Sequence, residues 1–246
     1  MQYSKLDADL AGSLLNQDSR SDDASEARSA AATGRLRRRF RALWSRRVER
    51  GADPAAADAA WDALVRAYTE PHRRYHDIDH LDHCLHGLDL AATVARDPDT
   101  LELAIWFHDM VHEPGAGDNE ARSAEVFAHL LGSYLAPADV DRIRRLILTT
   151  AHRELPNGGD ERFIADIDLS SLAKPWPQFL ADSEDLRAEE PAKSDAAYYR
   201  AKARFFRALL ARARLFNTPP FQLRYETKGR ENIRRFLALL ADRGYA

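Results

Sequence analysis

The chain has nine histidines, and seven of them fall in two short runs. PHRRYHDIDHLDHCLH carries His72, His76, His80, His83 and His86, and FHDMVH carries His108 and His112. Residues four apart share a helix face, so His76 with His80, and His108 with His112, can each point at one spot. Imidazole and carboxylate are the usual ligands of Zn, Mn, Fe, Co and Ni. The pair His108–Asp109 is the most informative, because it interrupts LELAIWFHDMVH, a stretch otherwise suited to a core. A charged Asp there is costly unless it is paired or bound to a metal. By itself it could merely cap or turn the helix end before Pro114; with YHxxxH upstream and DID downstream, metal binding is the better reading.

Helices must position these groups. GRLRRRFRALWSRRVERG places Leu36, Phe40, Leu43, Trp44 and Val48 at helical spacing, with eight arginines on its other faces, read as a solvated surface. WDALVRAYTE is a helix stopped by Pro71, and LDHCLHGLDLAATVA sets Leu81, Cys84, Leu85 and Leu88 on one side. DTLELAIWFHDMVH is an apolar helix broken by Pro114 and Gly115. Amphipathic helices follow in NEARSAEVFAHLLGSYL and ADVDRIRRLILTTAH, then a loop, LPNGGDE, and the helix RFIADIDLSSLA. After the Pro-marked KPWPQF come two long helices, Asp195–Arg214 and Tyr225–Asp242. Strand-like alternation is scarce and no repeat is found, so the expected fold is all-α. Residues 1–33, rich in Ser, Asp and Ala, read as a mobile tail with a short helix near Leu10–Leu15; residues 34–246 read as one helical domain.

The order H…HD…D resembles the HD superfamily of metal-dependent phosphohydrolases. From about Trp61 to Leu240 the chain is similar to its branch of bacterial predicted phosphohydrolases of unassigned substrate. The matching strings are RRYHDIDHLDHCL, AIWFHDMVHEPGAGDNEARSA, ILTTAH, FIADIDLSSL and YETKGRENIRRFL. The first two also resemble the cyclic-nucleotide phosphodiesterases of that superfamily, from which the chain departs at Asp77, where they have Asn, and at the extra Glu113. The resemblance implies an HD-type helical bundle holding a divalent ion (Mn, Mg, Zn, Co, Ni or Fe). It implies His80, His108, Asp109 and Asp168 as ligands, with Asp166 the fallback for Asp168; two residues apart on a helix, only one of them should reach the metal.

The resemblance also distributes roles. Asp109 orients or deprotonates a metal-bound water, and His76 protonates the leaving group, or else supports a ligand from behind. His112 orients a neighbour, contacts phosphate or holds a second ion. His152, Glu120 and Arg74 are expected on the substrate side, and Arg73 and Arg153 could join Arg74 in clamping phosphate. Asn119 reads as a helix N-cap. The remaining histidines, His72, His83, His86 and His129, read as structural or surface groups.

The expected substrate is a small phosphate ester, a nucleotide or a relative. Two alternatives stand beside it: an HD-type di-iron oxygenase using His112 and His152, and a non-catalytic nucleotide sensor. Net charge is −3, from 36 basic and 39 acidic residues, which gives no sign of nucleic-acid binding. No apolar run approaches the roughly 20 residues of a membrane span, and no signal peptide is read. The single Cys84 excludes an intramolecular disulfide and reads as a core residue; a thiol-poor chain fits the cytoplasm. Apolar faces on the late helices are compatible with a homodimer. P-loop, GxSxG and HExxH patterns are missing, which removes those routes to phosphate or acyl chemistry.

Overall fold

The computed structural model describes residues 32–48 and 54–245, and among them the fold is all-α, with no strand. The tail expected over 1–33 and the helix near Leu10–Leu15 lie outside the described residues, except that 32 and 33 are helical. The chain divides into two compact units, Met1–Ala42 and Leu43–Ala246. The described part of the first is residues 32–42 of helix α1 (32–47), where Leu36 and Phe40 are buried as the apolar stripe predicts. No helix among the described residues is long and apolar enough to cross a membrane.

The second unit begins within α1, where Leu43 and Trp44 are buried. Part of the basic face of α1 is spent on structure: Arg46 pairs with Asp99 at 2.8 Å and Arg47 with Asp139 at 2.9 Å. There follow α2 (Pro54–Tyr68), α3 (Ile78–Ala91), α4 (Pro98–Phe107), α5 (Asn119–Leu131) and α6 (Pro137–Thr149). Then come α7 (Asp160–Leu169), a 3₁₀ turn (Ser170–Ala173), α8 (Trp176–Ala188), α9 (Asp195–Ala211) and α10 (Pro219–Asp242). At the centre is α4, buried all round from Thr100 to Phe107 and flanked by α3, α5, α6 and α7. A helix with no polar face has to be a core element. At Gly87 α3 approaches α7 closely, because a Cβ there would meet Ile167 at 3.3 Å.

Several boundaries differ from the sequence reading, among them the start of α2, at Pro54 and not Trp61, and the end of α6, at Thr149 and not His152. α4 stops at Phe107, so His108, Asp109 and His112 sit in the turn and loop after it and not on a continuous helix. The segment around KPWPQF is not a break but the start of α8: Pro177 sits in its first turn, where its missing N–H costs nothing. α10 begins six residues early for the same reason, with Pro219 and Pro220 at its first positions. α9 ends at Ala211 and not at Arg214.

Asp77 is the N-cap of α3, its side chain accepting from the amides of Asp79 (2.9 Å) and His80 (3.1 Å). Asp and Asn cap equally well. Thermal melts should show Asp77→Ala losing about 1 kcal/mol and Asp77→Asn only a few tenths.

Candidate metal centre

Three separated segments meet in one buried place. His80 comes from the first turn of α3, His108 and Asp109 from the end of α4, and Asp168 from the last turn of α7. His80 Nε2 lies 3.3 Å from His108 Nε2, 3.3 Å from Asp109 Oδ2 and 3.5 Å from Asp168 Oδ1. His108 Nε2 lies 2.9 Å from Asp109 Oδ2 and 3.7 Å from Asp168 Oδ1. His108 Nδ1 donates to the Ile105 carbonyl at 2.8 Å, which leaves Nε2 as the nitrogen facing the cluster.

A cation suits this arrangement. Asp109 Oδ2 is buried without an aligned hydrogen bond, despite the short distance to His108. With N and O ligands at about 2.0–2.2 Å from an ion, the edges of a tetrahedral shell are roughly 3.3–3.6 Å. The distances between these atoms, 2.9 to 3.7 Å, bracket that range. His80, Cys84, His108 and Asp168 each offer an atom within 4.8 Å of the others, a composition and spacing compatible with a metal site.

The electrostatics agree. Burial works against charge on every member, yet the mutual interactions win. Asp109 is held well below the ordinary carboxylate range, its burial outweighed by the charges of His108 and His76. Asp168 is likewise held well below, with His108, His152 and His80 beside it. His80 and His108 are raised well above the ordinary imidazole range, burial being overcome by Cys84, Tyr75 and the carboxylates at His80, and chiefly by Asp109 and Tyr68 at His108. A site that raises imidazoles and lowers carboxylates is one that favours positive charge, whether protons or a metal ion supply it.

Beside this cluster is a second. His76 Nδ1 donates to Glu189 Oε2 at 2.6 Å, and His112 Nε2 lies 3.2 Å from the same oxygen. Glu189 Oε1 accepts the amides of Arg74, Tyr75 and His76 at 2.7–2.9 Å. Its side chain is 1% exposed, and the two imidazoles drive its pKa far down against the effect of burial. Sequence reasoning missed Glu189. So the expected pairing by fours fails for His108 and His112, which join different clusters. His76 precedes α3 and so does not share a helix with His80, although their rings are 5.7 Å apart.

His152 donates to Asp168 Oδ2 at 2.6 Å from a backbone held at φ 52, three residues past the end of α6, the helix it is expected to end. Arg74 lines a cavity of about 310 Å³ together with His80 and Lys174. Glu120 is not brought to the cluster: it lines a separate cavity of about 360 Å³ with Arg145 and Arg153, and none of the cluster residues borders it. Arg153 donates to the Gly117 carbonyl. Arg73 is no phosphate clamp; its buried guanidinium bonds Glu70 and the carbonyls of His76, Asp109 and Met110, which ties the loop before α3 to the turn after α4. Asn119 closes the loop by two hydrogen bonds, accepting from the Glu113 amide and donating to its carbonyl, and the N-cap position falls on Asp118. Cys84, read as core, has Sγ 3.6 Å from His80 Nε2.

Asp166 is buried and faces the other way. It accepts from the Asn217 amide and side chain and from the Thr218 amide and hydroxyl, at 2.6–2.9 Å, and so anchors the start of α10. The two aspartates should therefore separate cleanly. Asp166→Ala should cost about 1–3 kcal/mol of stability while metal content is kept, because it strands buried donors. Asp168→Ala should empty the site while the fold survives. Urea titration and metal analysis of both variants check this.

The molecule is thus an all-α protein with a buried His/Cys/Asp group compatible with a metal site. No family model matches the chain, and neither the curated proteins nor the solved structures include a similar one.

Proposed function

We propose that the chain is a divalent-metal-dependent phosphohydrolase of the HD-superfamily type, acting on a nucleotide or a related small phosphate ester. The observation that carries this reading is the convergence of His80, His108, Asp109 and Asp168, from segments up to 88 residues apart, the two inward imidazole nitrogens lying 3.3 Å from each other and 2.9–3.7 Å from an oxygen of each carboxylate. A bound divalent ion would lower the pKa of its water from about 15.7 toward about 7 and would hold phosphate oxygens.

The chain's own groups do the rest. Asp109 orients the attacking water and takes its proton. The water oxygen bonds to phosphorus as the ester oxygen leaves, and His76 gives that oxygen a proton. Glu189 fixes the His76 ring through Nδ1, so Nε2 is the nitrogen that hands over the proton. His112 orients this pair from the far side of Glu189. His152 holds the outer oxygen of Asp168, the usual way a ligand carboxylate is aimed. Of the two flanking cavities, the one beside His80 sets Arg74 and Lys174 among four aspartates, with Lys174 paired to Asp182 at 2.8 Å, and the one beside His76 brings Lys202 for phosphate, Lys193 being paired to Glu190 at 3.0 Å.

The test is metal analysis of the purified protein, followed by a phosphate-release screen across nucleotides with Mn, Mg, Co, Ni and Zn supplied. Release with at least one such ion supports the reading; ligand binding without turnover under every metal would make the chain a sensor instead.

A second reading draws on the group His76, His112 and Glu189, which sits within 4.8 Å and could hold another ion. It favours an oxygen-activating di-iron enzyme. Oxygen consumption by the iron-loaded protein supports that reading, and phosphate release with Mn, Mg, Co or Ni opposes it.

A further inference from the structure

Cys84 has no place in the ligand set argued above, yet its sulfur is built into the same cluster. It follows His80 by one turn of α3, on the same face, and is 1% exposed. Its Sγ lies 3.6 Å from His80 Nε2. With a metal–sulfur bond of about 2.3 Å and a metal–nitrogen bond of about 2.0–2.1 Å, the sulfur–nitrogen edge of a tetrahedron is roughly 3.5–3.6 Å. The His80–His108 separation of 3.3 Å fits the nitrogen–nitrogen edge of the same figure. A further observation points to a ligand here: Asp109 Oδ2, 2.9 Å from His108 Nε2, is buried without an aligned hydrogen bond, and His80, Cys84, His108 and Asp168 each offer an atom within 4.8 Å of the others.

We propose that the Cys84 thiolate is a ligand of the ion held by His80, His108 and Asp168, making this a mixed N/O/S centre that prefers zinc, cobalt or iron to magnesium. The inference rests on the metal-site reading and deepens it. Hard ions such as magnesium take oxygen ligands and keep water, whereas thiolate selects softer ones. Asp109, 2.9 Å from His108 Nε2, remains beside the ion and its water. Had Cys84 been only a small core residue, its sulfur would not need to sit at ligand distance from these nitrogens.

The experiment is the absorption spectrum of the full chain, stripped of metal and loaded with stoichiometric cobalt(II). The expected result is a near-ultraviolet sulfur-to-cobalt charge-transfer band beside the visible cobalt bands. Cys84→Ser should lose the first and keep the second. Visible bands without a charge-transfer band in the wild type overturn the role of Cys84 and leave the metal site standing. Absence of cobalt binding altogether overturns both. X-ray absorption of the zinc-loaded wild type needs no variant to fold: a Zn–S shell near 2.3 Å is expected, and a purely N/O shell overturns the proposal.

Discussion

Replacing Asp109 with alanine is expected to lower phosphate release by roughly 10³-fold or more, the scale of losing a group that serves both metal and nucleophile. Two features of its surroundings make the effect large. Its Oδ2 is the atom shared between His80 and His108, at 3.3 and 2.9 Å, so removing it leaves two inward imidazoles with one carboxylate fewer to balance a cation. Its backbone carbonyl is gripped by Arg73 at 2.7 Å, so the main chain should stay in place when the side chain goes. The loss should therefore appear in turnover and metal content, beyond what the fall in melting temperature from two buried imidazoles losing a carboxylate accounts for. Steady-state kinetics, metal analysis and a thermal melt on one preparation check all three. Turnover undiminished in this variant rules the mechanism out.

Glu189→Ala is expected to produce the largest loss of stability, about 3–5 kcal/mol, as for breaking a buried ion pair by removing one partner. One carboxylate accepts three amides and the His76 ring, with His112 Nε2 3.2 Å away, and the four donors would be stranded. Glu189→Gln keeps the amide contacts and should recover part of the loss. The pH dependence follows from the sign of the shift. The folded-state pKa lies far below the ordinary Glu value, so the stabilisation is fully present above about pH 4.3 and drains as pH falls below it. In the Gln variant that slope should flatten, which urea titrations at several acidic pH values would reveal. A parallel drop in turnover without loss of metal would mark Glu189 as a positioning residue for His76. Equal acid sensitivity in variant and wild type would contradict the assignment.

These two residues also show how far the sequence could be read. Asp109 was legible because a charged residue inside an apolar helix pattern needs a reason, and Asp168 because it follows from the ordered blocks. The periodicity behind them was partly misleading: α4 ends at Phe107, and the irregular turn after it, not helical spacing, delivers His108 to one cluster and His112 to the other. Glu189 was not legible. It ends α8, a helix in which only Phe179 and Ser183 are buried, and its partners lie 113–115 residues away. Nothing local distinguishes it from its neighbour Glu190. Asp166 and Asp168 could be ranked from the pattern, but only the packing of α10 explains why a second buried aspartate is there. Asp77, a departure from the phosphodiesterase pattern, becomes ordinary once it is seen to cap α3, a task Asn and Asp perform alike.

The central claim is that His80, His108, Asp109 and Asp168 surround one cation. Calorimetric titration of the metal-free chain with a divalent ion, at several pH values and in buffers of different ionisation enthalpy, tests it most directly. An ion needs neutral imidazoles and ionised carboxylates, so it competes with protons for His80 and His108. The account predicts one ion per chain, release of up to about two protons, affinity that strengthens as pH rises, and loss of binding in His108→Ala. Failure to bind any divalent ion, or binding that ignores both pH and His108, would contradict it.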